Sequence, residues 1–136
     1  MKVFQQERRP RTRGGFTVTD ITDDVNAAVR GSGIRSGIAC VYSPHTTCCV
    51  RVNEFETGLL EDFAALLRRL VSRETSYTGL AHGHPRCVSM LLGPAGESIP
   101  VSGGELLLGR WQRVLFVELD REHDGRWLVE VVGSYS

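Results

Sequence analysis

Apolar and polar positions along the chain follow two periods, and the switches between them mark the elements. Lys2 to Glu7 and Phe16 to Thr19 read as short strands. Thr19 and Asp20 are the helix-capping residue types, and Ile21, Val25, Ala28 and Val29 then recur at helical spacing until Gly31 and Gly33. Gly37 to Tyr42 is an apolar strand closed by Ser43-Pro44, and Thr46 to Val52, rich in β-branched residues, is the next. Thr57 to Ser72 is the clearest helix. Its stripe of Leu59, Leu60, Phe63, Leu66, Leu67 and Leu70 fills an arc of roughly 120°, with Asp62 about 40° outside it. Arg73 to Arg86 reads as a polar loop. Cys87 to Leu92, Glu97 to Val101, Glu105 to Leu108, Trp111 to Leu119 and Trp127 to Val132 read as strands, with Asp124-Gly125 as the last hairpin turn. The order predicts an α+β fold, a mainly antiparallel β-sandwich carrying two helices.

The length of 136 residues fits a single domain, 1–136. Sixteen basic residues balance sixteen acidic ones, which argues against a broadly basic nucleic-acid footprint. No apolar run approaches the roughly 18 residues of a membrane span, and Met1 to Gln5 lacks a signal-peptide core, so the expected setting is cytoplasmic with no membrane partner. The four cysteines, Cys40, Cys48, Cys49 and Cys87, show no C-x-x-C spacing and are expected to be reduced and mostly buried. Fifteen of the sixteen basic residues are Arg, a ratio that fits genome composition, although Arg also suits capture of carboxylate or phosphate. The run from Arg8 to Arg13 reads as a basic surface turn or a phosphate-attracting one.

Candidate chemistry centres on the histidines. His45, fixed by Pro44 where a strand begins, is placed to ligate a metal or move a proton, or else to hydrogen-bond its own turn. His82 and His84 flank Gly83 and read either as a metal pair or as part of a polar loop. His123 sits among charged residues in a hairpin tip and reads as inert. Glu54 and Asp62 can hold Mg²⁺ or act as a base, while carboxylates near residue 54 also favour a helix N-terminus. Trp111 reads as core, and Gln112, at a strand entrance, can hydrogen-bond a substrate or a neighbouring chain.

His45-Thr46-Thr47, Asn53-Glu54, the leucine-rich helix with Asp62, Leu91-Leu92-Gly93-Pro94, Ile99-Pro100-Val101, Gly104 and Gly109-Arg110-Trp111-Gln112 before Val114 to Asp120 together resemble the YjbQ family, also named the secondary thiamine-phosphate synthase enzyme family. The resemblance runs from about residue 3 to 132. Three departures stand out: Arg110 replaces the family's Thr, Gly96 a usual Ser, and Tyr77-Thr78-Gly79 lacks a usual His, so that either His82 or His84 matches the family's loop histidine. The resemblance implies a homotrimer with pockets near subunit interfaces. It also implies an enzyme that joins hydroxymethylpyrimidine diphosphate and thiazole phosphate, releasing pyrophosphate. On that footing His45, Glu54, Asp62 and Gln112 would serve catalysis, Arg110 would grip phosphate, and His45, His82 and His84 would line a site for a divalent metal, Mg²⁺ or Zn²⁺. The partner would be a phosphorylated small molecule. Two other readings are a metal-dependent hydrolase and a non-catalytic, anion-binding trimeric module.

Overall fold

The computed structural model describes residues 1–10, 15–71, 83–120 and 125–136, with Gly83 and His84 described in their backbone alone. The strands are β1 (Lys2–Arg8), β2 (Thr17–Asp20), β3 (Ser36–Tyr42), β4 (Cys48–Asn53), β5 (Gly96–Ser102), β6 (Glu105–Leu106), β7 (Arg113–Glu118) and β8 (Trp127–Ser134). The helices are α1 (Thr22–Ser32), α2 (Thr57–Leu70) and α3 (Gly83–Leu92). One antiparallel sheet has the order β1-β8-β3-β5-β6 and the other β2-β7-β4. The expected α+β sandwich is therefore observed.

Alternation along the strands decides the layering. In β3 and β8, Ala39, Val41, Trp127, Val129 and Val131 point inward and are buried, while Ile38 and Tyr42 face out and are exposed. Their core meets Val50, Val114 and Phe116 of the smaller sheet, and Val25 and Val29 of α1 join it. The smaller sheet has a second apolar face. Cys49, Val117 and Leu119 pack there with Leu67 of α2 and Val88 of α3. Because β7 is covered on both sides, Val114 to Val117 read as an unbroken apolar run rather than an alternating one.

Cys87 to Leu92, expected as a strand, is helical, so three helices are present among the described residues. A short apolar run fits either period. Packing settles it: Val88 and Leu92, one helical turn apart, reach the second core, while Met90 and Leu91 stay exposed. Pro85 falls in the first turn of α3, where its missing N–H costs nothing. The α2 stripe is also less buried than expected, with Leu59, Leu66 and Leu70 exposed and Leu67 alone fully packed.

Both well-defined helix starts use a carboxylate. Asp20 accepts from Thr22 N at 3.0 Å and Thr22 Oγ1 at 2.6 Å, just ahead of α1. Glu56 accepts from Gly58 N at 2.9 Å and Leu59 N at 2.6 Å, and those bonds hold its carboxyl below the usual range. Arg113 Nε also binds Asp20 Oδ2 at 2.7 Å, tying α1 to β7. Burial pushes the Asp20 carboxyl up, but the Thr22 and Arg113 bonds together hold it below its ordinary value.

Gly37 and Gly133 are partners across β3 and β8. A Cβ on Gly37 would strike Val132 O, and one on Gly133 would strike Ser36 O, so neither position admits a side chain without moving backbone. Gly133→Ala should lower stability by roughly 1–3 kcal/mol in chemical denaturation. Asp20→Asn should destabilise at pH 7. A lowered folded pKa gives stability that is present above the unfolded value and lost as pH falls through the folded one. The difference between Asp20→Asn and the wild type should therefore shrink below about pH 4, read from urea midpoints across pH.

Candidate functional site

Pro44 stops β3 and the chain turns through Ser43 to Thr47 before β4 begins. Both ends of this turn are fixed. Ser43 N donates to Ala95 O at 2.9 Å, and Ser43 Oγ donates to Arg126 O at 2.7 Å. At the far end Leu119 N donates to Thr47 O at 3.0 Å. His45 lies between these anchors, partly buried, with its Nε2 out of solvent.

The turn forms one wall of a cleft of about 600 Å³, to which His45, Ser43, Thr46 and Cys48 contribute. Arg86 and Ser89 of α3 form the facing wall. Helix α3 closes at its C-terminus with Gly93 N donating to Ser89 O at 3.1 Å, and Arg51 Nη1 ties that end to β4 by donating to Leu92 O at 3.2 Å while pairing with Glu97 at 3.6 Å. A cation at the last carbonyls of a helix is favourably placed.

Sequence reasoning missed the most unusual polar group in the molecule. Glu118 is fully buried between the sheets. Its Oε1 accepts from Asp120 N at 2.8 Å, Leu119 N at 3.1 Å and Thr47 Oγ1 at 3.3 Å, and its Oε2 accepts from Cys48 Sγ at 2.7 Å. The available signal was one acid inside the apolar run Val114 to Leu119. Burial and the bond to Glu118 push the Cys48 thiol far up, and burial pushes Cys49 up to about 11. Cys48 is thus a proton donor to Glu118 and not a thiolate nucleophile.

The expected site residues separate. Glu54 lines another cavity, an apolar groove of about 270 Å³, with Arg51, Leu59, Phe63 and Leu91. Glu56, not Glu54, caps α2. Asp62 is exposed on α2. Gln112 is exposed and its Oε1 accepts from Gly109 N at 2.7 Å, closing a local turn. Arg110 is exposed and stacks 4.8 Å from the Trp111 ring centroid; Trp111, expected in the core, is exposed because the chain enters β7 only at Arg113. His82 and His123 lie outside the described residues, as does the side chain of His84, whose backbone opens α3 two residues before Arg86. Arg11 and Arg13 of the basic run also lie outside them, and Arg9 pairs with Glu7 at 2.6 Å. Cys87 is exposed and Cys40 partly so, against the expectation of burial, because Cys87 is on the outer side of α3 and Cys40 on the outer face of the larger sheet. Among the described residues no helix is long and apolar enough to cross a membrane.

The chain matches the family described as "UPF0047 protein YjbQ-like" over residues 6–134. A UPF0047 protein of Methanothermobacter thermautotrophicus is 38% identical over 139 residues, covering 98% of this chain and 95% of the relative. One from Archaeoglobus fulgidus is 38% identical over 127 residues, covering 90% and 96%. A crystal structure of a YbjQ-like protein of unknown function from Sulfolobus solfataricus superposes with a TM-score of 0.91 at 29% identity, covering 98% of this chain and 99% of that one. A YjbQ/UPF0047 structure from Clostridium acetobutylicum gives 0.85 at 27% identity, covering 95% and 99%.

Thiol reactivity checks the electrostatics. With an alkylating reagent at pH 8, Cys87 should react first, and Cys48 and Cys49 should react only after unfolding, as mass spectrometry of digested protein would read.

Proposed function

The chain belongs to the UPF0047 YjbQ-like family, and from that premise we propose that the cleft between His45 and Arg86 binds a phosphorylated small molecule and acts on it. The reaction the family resemblance implies is the joining of hydroxymethylpyrimidine diphosphate to thiazole phosphate. The observation that carries the reading is that an imidazole and a guanidinium from distant stretches line one cleft of about 600 Å³, a volume typical of small-molecule sites.

In that reaction the thiazole nitrogen's lone pair forms a bond to the pyrimidine methylene carbon. The carbon–oxygen bond to the diphosphate breaks, and pyrophosphate leaves with the electron pair. Arg86 offers forked N–H donors to the leaving group as its charge grows. His45 hydrogen-bonds the departing oxygens or hands them a proton. The Ser43 hydroxyl is already committed to Arg126 O, so it shapes the wall and does not bind ligand.

The resemblance also implies Mg²⁺ or Zn²⁺, which would neutralise pyrophosphate. Among the described residues no three His, Cys, Asp or Glu side chains converge as a metal site. Cys48 holds its proton against Glu118, the opposite of what a thiolate ligand requires. The described residues by themselves assemble no site for a resident ion, His82 and the His84 side chain lying outside them, and the steps above run through His45 and Arg86. Neither Glu54 nor Asp62, in its own groove and on an exposed helix face, has a part in them. We take the working unit to be the homotrimer the resemblance implies. Leu59, Leu66 and Leu70 on α2, and Val3 and Ile38 on the outer sheet, leave apolar area that association between copies would remove from water.

Incubation with both substrates should yield thiamine phosphate and pyrophosphate. His45→Ala should cut kcat by about 100-fold or more, and Arg86→Ala should raise KM for the diphosphate substrate by about tenfold. A wild-type chain that is stabilised by pyrophosphate in a thermal shift yet makes no product would turn the cleft into an anion-binding site without catalysis.

A further inference from the structure

We propose that Glu118 is the positioning residue of the cleft: it holds the turn from Ser43 to Cys48, and through that turn His45, in the orientation a ligand meets. The inference rests on the reading of the cleft as a phosphate-ligand site and deepens it.

Glu118 ends β7 and pairs with Cys48 at the start of β4. Its carboxylate sits in the seam between the two sheets, where Val114 and Phe116 of the same strand face are core. Two of its donors, the Leu119 and Asp120 N–H groups, come from the end of β7. The other two, Thr47 Oγ1 and Cys48 Sγ, come from the entrance to β4. Each carboxylate oxygen binds the His45 turn, and one of them also binds the strand end opposite. The donors around it are the complement an acceptor-only carboxylate requires.

This arrangement fixes one end of the turn, and Ser43 fixes the other through Ala95 O and Arg126 O. Between them Cys48 N reaches His45 O at 3.4 Å. The imidazole therefore stands at the crown of a loop pinned on both sides. Stability alone does not explain a carboxylate in this place. Buried charged groups are often replaced by apolar ones of similar volume with no loss, and the seam is lined by valine and phenylalanine. What leucine cannot do is collect the Thr47 and Cys48 donors and so set the direction of the turn.

The test compares the full chain with Glu118→Gln, Glu118→Leu and Thr47→Val. Circular dichroism establishes folding, calorimetry measures pyrophosphate binding, and ¹H–¹⁵N correlation reads the His45 ring, assigned with His45→Gln. Glu118→Gln, whose amide oxygen can take the Oε1 position, should keep the wild-type ring signals and an affinity within about threefold. Glu118→Leu should shift the ring signals toward those of a mobile imidazole and weaken pyrophosphate by about tenfold or more. Thr47→Val, which removes one donor and keeps the shape, should move both readouts the same way by less, and it carries the test if Glu118→Leu does not fold. Folded Glu118→Leu or Thr47→Val with wild-type ring signals would overturn the proposal. A wild-type chain that binds no pyrophosphate would defeat the cleft reading instead, and the ring signals would still decide whether Glu118 aims His45.

Discussion

A carboxylate taken out of water costs several kcal/mol unless donors replace the water it loses. Glu118 is buried in the seam of the sandwich, so the fold around it is constrained to bring donors to that point. Two are supplied locally by the turn after β7, which needs no more than the backbone geometry at Leu119 and Asp120. The others must come from another strand, and the antiparallel register that sets Cys48 opposite Glu118 delivers them. A slip of one residue between β4 and β7 would carry Cys48 to the helix-covered face and leave the carboxylate half-satisfied. The polar pair thus helps specify register in a strand pair whose neighbouring contacts, Cys49 with Val117 and Val50 with Phe116, are apolar and interchangeable.

That register propagates to both walls of the cleft. It fixes where β4 starts, and so where the turn bearing His45 must end. It also orients the far face of the smaller sheet, on which Cys49, Val117 and Leu119 receive Val88 of α3. With Val88 seated and Arg51 holding the Leu92 carbonyl, α3 presents Arg86 toward the same turn. The cleft is therefore a consequence of how one central strand packs on its two sides.

Much of this was legible in the chain. Alternation in β3 and β8 and the helical spacing of α2 are local signals, and each appears where local physics puts it; ahead of α1 the N-cap position is Ile21, and of the two expected capping residues Asp20 binds Thr22. The failures share a cause. Cys87 to Leu92 is too short and too apolar to reveal its period, and only the second core decides it. Leu59, Leu66 and Leu70 have the right spacing for a buried stripe, but the described residues leave them exposed. Glu118 was visible as an acid in an apolar run, yet its donors Thr47 and Cys48 lie some 70 residues away, and no local pattern connects them. His45 was found because proline and a β-branched run announce its turn, while Arg86 was one arginine among fifteen.

The distribution of charged groups also bears on mechanism. His45 and Glu54 line different cavities of one chain, one just before β4 and the other just after it. Gln112 spends its amide oxygen on Gly109, and Arg110 lies over Trp111 at the surface. A residue set assembled from motifs in sequence order therefore overstates what one protomer brings to one place. Among the described residues, what lines one cleft is smaller: an imidazole on a pinned turn and a guanidinium on a helix. Such a pair suits a reaction whose chief demand is charge stabilisation on a leaving anion, because orientation of two donors then does most of the work and no strong base is needed. Departure of pyrophosphate is a reaction of that kind.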